Sequence, residues 1–325
     1  EWFGHKLELA EGAVGSVLAA VGTAMPETMI PVIAIVLGTG ESSEAIGVGA
    51  ILGAPFMLAT LAMFVTGVAV LVVARSRSDG DTMRVDTAVL GHDMRYFAVA
   101  FSLAIAAAFL PLDPAWPKWV VAVVLIGIYA WYVRSHLQAD GDGDSSDLAP
   151  LRFRHLDAVA HRDASVPRLR VVNGQVVAAL ALIVVGAIAF VTAVEGIALT
   201  LGVDEVLLAL VIAPIATELP EKFNSVIWVR AGKDTLAMGN ITGAMVFQAT
   251  IPTVVALVLA PAAWQATQGS YTAFGSAGIA FASSAVIFIP MVRSGRLRGR
   301  NLLVGGVFYL AYLLLVVSVI TNAFG

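Results

Sequence analysis

The 325-residue sequence has no cysteine, which excludes disulfides and thiolate metal sites. Charge is scarce as well. Only 13% of residues are Asp, Glu, Lys or Arg, about half the share in an ordinary soluble domain. Histidine occurs 5 times, and only His92, at an edge, touches an apolar run. A large soluble core is excluded too, because the polar segments are short breaks between apolar runs of membrane-crossing length. What remains is 59% hydrophobic. It predicts spans near 10–37, 45–73, 89–110, 116–134, 171–199, 204–230, 235–260, 271–292 and 301–322.

One pattern occurs twice. Residues 21–31 read VGTAMPETMIP, and residues 215–225 read IATELPEKFNS. A shift of 194 positions lays Glu1–Glu27 over Glu195–Glu221 without a gap, and Thr23, Pro26 and Glu27 meet Thr217, Pro220 and Glu221. A carboxylate in hydrocarbon costs several kcal/mol, so it is retained for function or for a partner. Two of them on repeat-related helices predict one cation site at a pseudo-symmetric interface.

The halves are 1–134 and 171–325, joined by a polar linker at 135–170, with the repeated cores near 10–66 and 204–257. The expected fold is an all-α integral membrane protein of two inverted-topology repeats of five helices. About nine helices are visible. The repeat partner of the opening EWFGHKLELAEG follows a full apolar span, so a further span is expected ahead of Glu1. No cleavable signal pattern heads the sequence.

Arginine and lysine set the expected orientation. Arg75, Arg77 and Arg84, the basic residues of 152–170, Arg230, Lys233 and Arg293 to Arg300 share one side, and the other holds only Lys118. That makes the Arg-rich loops and the linker cytoplasmic and puts the C-terminus outside a cell membrane. Trp116, Trp119, Trp131, Trp228 and Trp264 fall near span ends, as an aromatic belt would place them. The linker's DGDGDSSD (140–147) lacks the Gly and Glu of a calcium loop and reads as solvated acid. The following LRFRHLDAVAHR suits a basic helix on the inner leaflet. His155 and His161 read as surface residues.

Proline supplies part of the site chemistry. Pro26 and Pro220 have no N–H, so a mid-span kink is expected at each, freeing the carbonyls of Gly22 and Ala216. Freed carbonyls beside carboxylates suit hard cations. Gly49 and Gly53, and Gly239 and Gly243, form G-x-x-x-G pairs of the kind that let helix backbones approach closely. Glu218 and Lys222 stand i, i+4 and are expected to pair in mid-span. Lys222 is also a candidate internal cation or proton site.

These strings resemble the two α-repeats of the calcium/cation antiporter superfamily, which includes the sodium/calcium exchangers. Its repeats carry G-T-S-x-P-E followed by G-N-x-x-G-S-N-x-x-N. The resemblance implies that Glu27 and Glu221 are the central cation-binding carboxylates, with Thr23 and Thr217 as adjoining ligands. Gly239, Asn240 and Gly243 keep the opening of the second segment. Gln248 stands at its final Asn or Asp, and Ser225 keeps the Ser four residues after Glu221; Gln248, Asn240, Ser225 and Glu218 join the Gly22 and Ala216 carbonyls as further candidate cation ligands. The departures are Ala24 and Glu218 for the Ser after Thr, Ala54 and Ala244 for the Ser of G-S-N, Leu58 for the final Asn in the first repeat, and Pro31 opposite Ser225. Most of the lost oxygens are sodium ligands in the resembled exchangers.

The resulting expectation is a secondary antiporter and not an enzyme. It moves a divalent cation, Ca2+ first, in exchange for H+ or Na+. A Na+/H+ or Mg2+/H+ exchanger of the same fold, or a non-transporting cation sensor, are the alternatives. No cofactor is expected. Inorganic cations and the lipid bilayer are the expected partners, and nucleic acid is not.

Overall fold

The computed structural model describes residue 2 and residues 9–37, 41–138, 151–157, 167–201, 218–266 and 271–324. The described chain is helical almost throughout. Helix α1 runs through Glu11–Ala13, a π-helical stretch Val14–Ala19, and Ala20–Thr23; α2 is Met25–Leu37. Then come α3 (Glu41–Met57) and α4 (Met63–Val73), joined by a π-helical turn Leu58–Ala62. Helices α5 (Thr87–Ala107) and α6 (Trp116–Leu137) close the first half. The second half holds α7 (Leu169–Leu201), α8 (Leu219–Arg230), α9 (Asp234–Leu259), α10 (Tyr271–Ser294), the short α11 (Gly299–Leu302) and α12 (Val304–Phe324).

Four described segments are long and apolar enough to cross a membrane: Gly47–Ser76, Trp116–Leu137, Asp234–Leu259 and Phe274–Ser294. Their burial ranks them. The apolar window of α9 is 78% buried within the protein and that of α6 only 22%. So α9 is the central post and α6 faces outward. In lipid, apolar side chains gain nothing by leaving hydrocarbon for protein, so close packing holds such helices together. Accordingly α9 offers small residues where α1 crosses it. A Cβ built on Gly243 would stand 2.0 Å from the carbonyl oxygen of Ser16, and one on Gly239 3.0 Å from Ser16 Oγ. Gly49 and Gly53 have no such neighbour among the described residues. The repeat offset puts the counterpart of Ser16 at residue 210, outside them.

Helix α5 starts at Asp86, whose carboxylate accepts from the amides of Ala88 (2.9 Å) and Val89 (3.1 Å), satisfying two of the orphan donors of a first turn. Two residues on each of two distant loops, Thr82–Met83 (β1) and Leu297–Arg298 (β2), pair antiparallel. Beside them Asp234, at the start of α9, is buried and gripped by both terminal nitrogens of Arg77, one at 2.9 Å, and by the Arg84 amide at 2.8 Å. Asp234 raises the pKa of the Arg77 guanidinium. This clamp fastens loop 74–86 to α9.

The sequence expectations need four corrections here. The first span, 10–37, is two helices with a break at Ala24, not one kinked helix. Helix α6 continues past the expected end at 134 to Leu137, so the linker starts later, and His136 is buried on that last turn. The described part of the basic linker segment is a single 3-10 turn, Arg152–Leu156, followed by Asp157 paired with Arg170 at 2.9 Å, rather than a surface helix. Residues 140–147 and His161 lie outside the described residues. Finally, Trp264 is fully buried and donates to the carbonyl of Ala104 at 2.9 Å, so it is a core residue. Trp116, Trp119 and Trp131 are exposed, as a belt requires. Lys118 is buried as well, its ammonium on the carbonyls of Pro261 (2.6 Å) and Trp264 (2.7 Å) in the turn that follows α9.

Candidate cation site

The two repeated strings fold alike. Ala24 has φ −80°, ψ 2° and Glu218 has φ −89°, ψ 7°. These positions are 194 apart, the offset of the repeat. In each copy a helix restarts one residue later, with proline at the second position of its first turn. Proline is favoured there because that N–H would have no helical partner anyway. The restart is the same in both: Thr28 N bonds Ala24 O at 3.2 Å, and Lys222 N bonds Glu218 O at 3.3 Å. Pro26 therefore begins a helix and does not bend one. It still leaves the Gly22 carbonyl without an i+4 donor.

The break puts Glu27 in the first turn of α2 and Glu221 in the first turn of α8. The positive end of a helix dipole favours negative charge there. Both side chains are buried, with 5% and 0% of their surface exposed. They lie close enough across the repeat interface for each to feel the other's charge, and Glu221 lies near Thr23. Glu27 Oε1 and Oε2, Glu221 Oε1 and Oε2, Glu218 Oε1 and Gln248 Oε1 are all buried with no donor among the described residues. Buried acceptors left like this cost several kcal/mol in total unless protons or cations meet them.

The other expected residues arrange around this pair. Thr23 Oγ1 lies 3.1 Å from Asn240 Oδ1 and 3.0 Å from the Ala19 carbonyl. Gln248 Nε2 donates to the Ala24 carbonyl and to Thr28 Oγ1, each at 3.4 Å. Ser225 Oγ donates to the Ala237 carbonyl at 3.1 Å, and its side chain is buried. Lys222 Nζ bonds Glu218 Oε2 at 2.9 Å, the expected i, i+4 pair. Thr217 and Ala216 lie outside the described residues. In formal charge, three carboxylates and one ammonium leave two negative charges. One divalent ion balances that, and the oxygens on hand suit a hard one.

The sequence reading missed a second acid. Asp93 of α5 sits inside the span 89–110, fully buried, and four side chains donate to it. Ser16 Oγ (2.8 Å) and Thr242 Oγ1 (2.6 Å) reach Oδ2; Tyr132 OH (3.1 Å) and His136 Nε2 (2.9 Å) reach Oδ1. The available signal was an acid at the head of an apolar run, beside His92. It went unread because Asp93 has no repeat partner and His136 lies at the end of a span.

The sequence model of the family described as "Sodium/calcium exchanger protein" matches residues 1–136 and 173–321, most of the chain. The chain belongs to this family. Among solved structures, the sodium-calcium exchanger NCX_Mj soaked with zero Na+ and Ca2+ is similar at TM-score 0.68, with 16% identity over 97% of this chain and 90% of that one. The same exchanger soaked with 2.5 mM Na+ and 0.1 mM Ca2+ gives TM-score 0.66, again at 16% identity, 97% and 90%. The family member thus has the all-helical, two-repeat transporter fold. A "Putative antiporter CaxA" from Alkalimonas amylolytica is 29% identical over 112 residues, 34% of each chain, so the match spans about a third of that relative.

Proposed function

We propose that this family member is a secondary antiporter that holds a divalent cation, Ca2+, between Glu27 and Glu221 and exposes it alternately on the two sides of a cell membrane. The observation that carries the reading is the pair itself: two buried carboxylates from opposite repeats, each within reach of the other's charge, with all four oxygens lacking a donor among the described residues. Thr23, the Gly22 carbonyl and Gln248 add neutral oxygens, with Thr217 and the Ala216 carbonyl as their repeat counterparts. Asn240 orients Thr23, and Ser225 stands a turn beyond Glu221 on α8. An ion at this pair sits between the repeats, so rocking one half against the other moves its exit from one side to the other.

Exchange follows from charge. With Ca2+ bound, the two carboxylates are neutralised. Once it leaves, like charges in a low-dielectric site repel, and the pair must take up protons or monovalent cations. Proton exchange is the favoured counter-transport, because several hydroxyls that would ligate sodium are replaced and the Lys222 ammonium already stands beside Glu218. Arg-rich loops on the cytoplasmic side set the orientation in this reading.

The test is 45Ca2+ uptake into proteoliposomes under separately imposed Na+ and H+ gradients. The expected result is uptake driven by a proton gradient and abolished in Glu27→Gln and Glu221→Gln. Normal transport by both variants would refute the site. Uptake driven by Na+ alone would reassign the counter-ion. Saturable Ca2+ binding with no flux under either gradient would make the protein a sensor.

A further inference from the structure

On α5 and α6, which carry neither Glu27 nor Glu221, His92, Asp93 and His136 each offer a ligand atom, all within 4.8 Å of one another. The His92 and His136 rings stand 5.2 Å apart and nearly perpendicular. We propose that these three residues bind a single zinc-class divalent ion at a site separate from the transported cation, and that occupation of this site slows transport. Only the second half of this proposal rests on the antiporter reading.

The donor set is two imidazoles and one carboxylate. That suits Zn2+ and its first-row neighbours and is poorly matched to Ca2+ or Mg2+, which prefer oxygen. Selectivity therefore runs opposite to that of the all-oxygen site at Glu27 and Glu221. Tetrahedral zinc with bonds of about 2.0–2.1 Å sets neighbouring ligand atoms about 3.4 Å apart. His136 Nε2 and Asp93 Oδ1, 2.9 Å apart, are already that close. The widest pair has at most about 1.4 Å to close, within reach of a histidine ring turning about its side-chain bonds.

The carboxylate is fixed in place. Ser16, Thr242 and Tyr132 each donate a hydroxyl to Asp93. A metal that replaced the His136 N–H would leave those three bonds in place, and such outer contacts orient a ligand and strengthen binding. His92, whose Nε2 lies 3.4 Å from Ser135 Oγ, is half-buried and is the most exposed of the three, beside the buried pair. The link to transport is through the same hydroxyls. Ser16 is on α1 and Thr242 on α9, two residues from Asn240. An ion on Asp93 would pin α5 and α6 to the two helices that carry Thr23 and Asn240.

The test uses the full chain, purified without a histidine tag and titrated with Zn2+ against a chromophoric chelator in the presence of excess Ca2+. The proposal expects one equivalent bound at micromolar affinity or tighter. His92→Gln and His136→Gln should each weaken it tenfold or more, while the Glu27→Gln/Glu221→Gln double variant should bind zinc as the parent does. His92 is half-exposed, so its variant keeps the test decisive if His136→Gln does not fold. Absence of saturable zinc binding, binding unmoved by His92→Gln, or binding lost with the two glutamates would each overturn the site. In 45Ca2+ flux, zinc should slow the parent and spare His92→Gln. Zinc that binds at these residues without slowing flux would overturn the coupling.

Discussion

Adding one methyl group at Gly243 tests whether the cation site depends on backbone contact between α1 and α9. A Cβ there would stand 2.0 Å from the Ser16 carbonyl oxygen and 2.5 Å from Ser16 C and Cα. Ordinary contact begins near 3.4 Å, so α1 must retreat by about 1.4 Å. Both partners are helix backbone and cannot swing aside as a side chain does. Overpacking costs about 1–3 kcal/mol, and backbone against backbone belongs at the top of that range. The retreat also stretches the Ser16–Asp93 and Thr23–Asn240 bonds, now 2.8 and 3.1 Å, each worth about 1 kcal/mol. Gly127, on the exposed face of α6 with nothing within 4 Å, is the control. Gly127→Ala should hold or gain stability, by up to about 1 kcal/mol from helix propensity. Thermal unfolding in detergent should show Gly243→Ala lower by roughly 6 °C or more, at about 2 °C per kcal/mol for a chain of this size. Ca2+ binding should weaken with it. A Gly243→Ala protein as stable as Gly127→Ala would refute the contact.

Lys222→Met strands the Glu218 carboxylate in the interior and should cost about 3–5 kcal/mol. Adding Glu218→Gln should recover most of that in a double-mutant cycle of unfolding energies, and additive losses would deny the pair. Asp234→Asn weakens the grip on Arg77, whose side chain is 12% exposed against 0% for Asp234. About 3 kcal/mol should be lost, read as a lower unfolding midpoint. Thr23→Val should cost about 1 kcal/mol and weaken Ca2+ binding measured by isothermal titration, with unchanged affinity arguing against a place beside the ion. Arg84 holds the exposed Asp79 carboxyl below the usual carboxylate range. A depressed carboxylate stabilises above its unfolded value and stops doing so as pH falls through its folded one. The small advantage of the parent over Arg84→Ala should therefore be present at neutral pH and vanish in strong acid.

Much of this protein was legible from residue order. The spans followed from apolar runs, because in lipid a helix must satisfy its own backbone. The paired carboxylates followed from duplication, because charge in hydrocarbon is too costly to keep twice without use. The Glu218–Lys222 pair followed from helical spacing alone. Sequence misread the prolines. A mid-span kink and a helix restart contain the same residues, and only the backbone angles at Ala24 and Glu218 tell them apart. Trp264 looked like an interfacial residue because position along a span says nothing about which way a side chain turns.

Composition, period and repeat by themselves determined that this chain is helical, lives in a membrane and carries two matched acids, since each of those is a property of local solvation or of self-similarity. Only the tertiary structure decided which groups meet. The approach of Glu27 to Glu221 spans 194 residues, and the convergence of Ser16, Tyr132, His136 and Thr242 on Asp93 draws on three other helices. Such meetings depend on how helices cross, and crossing is set by which small residues let two backbones touch, as Gly243 lets α9 touch α1.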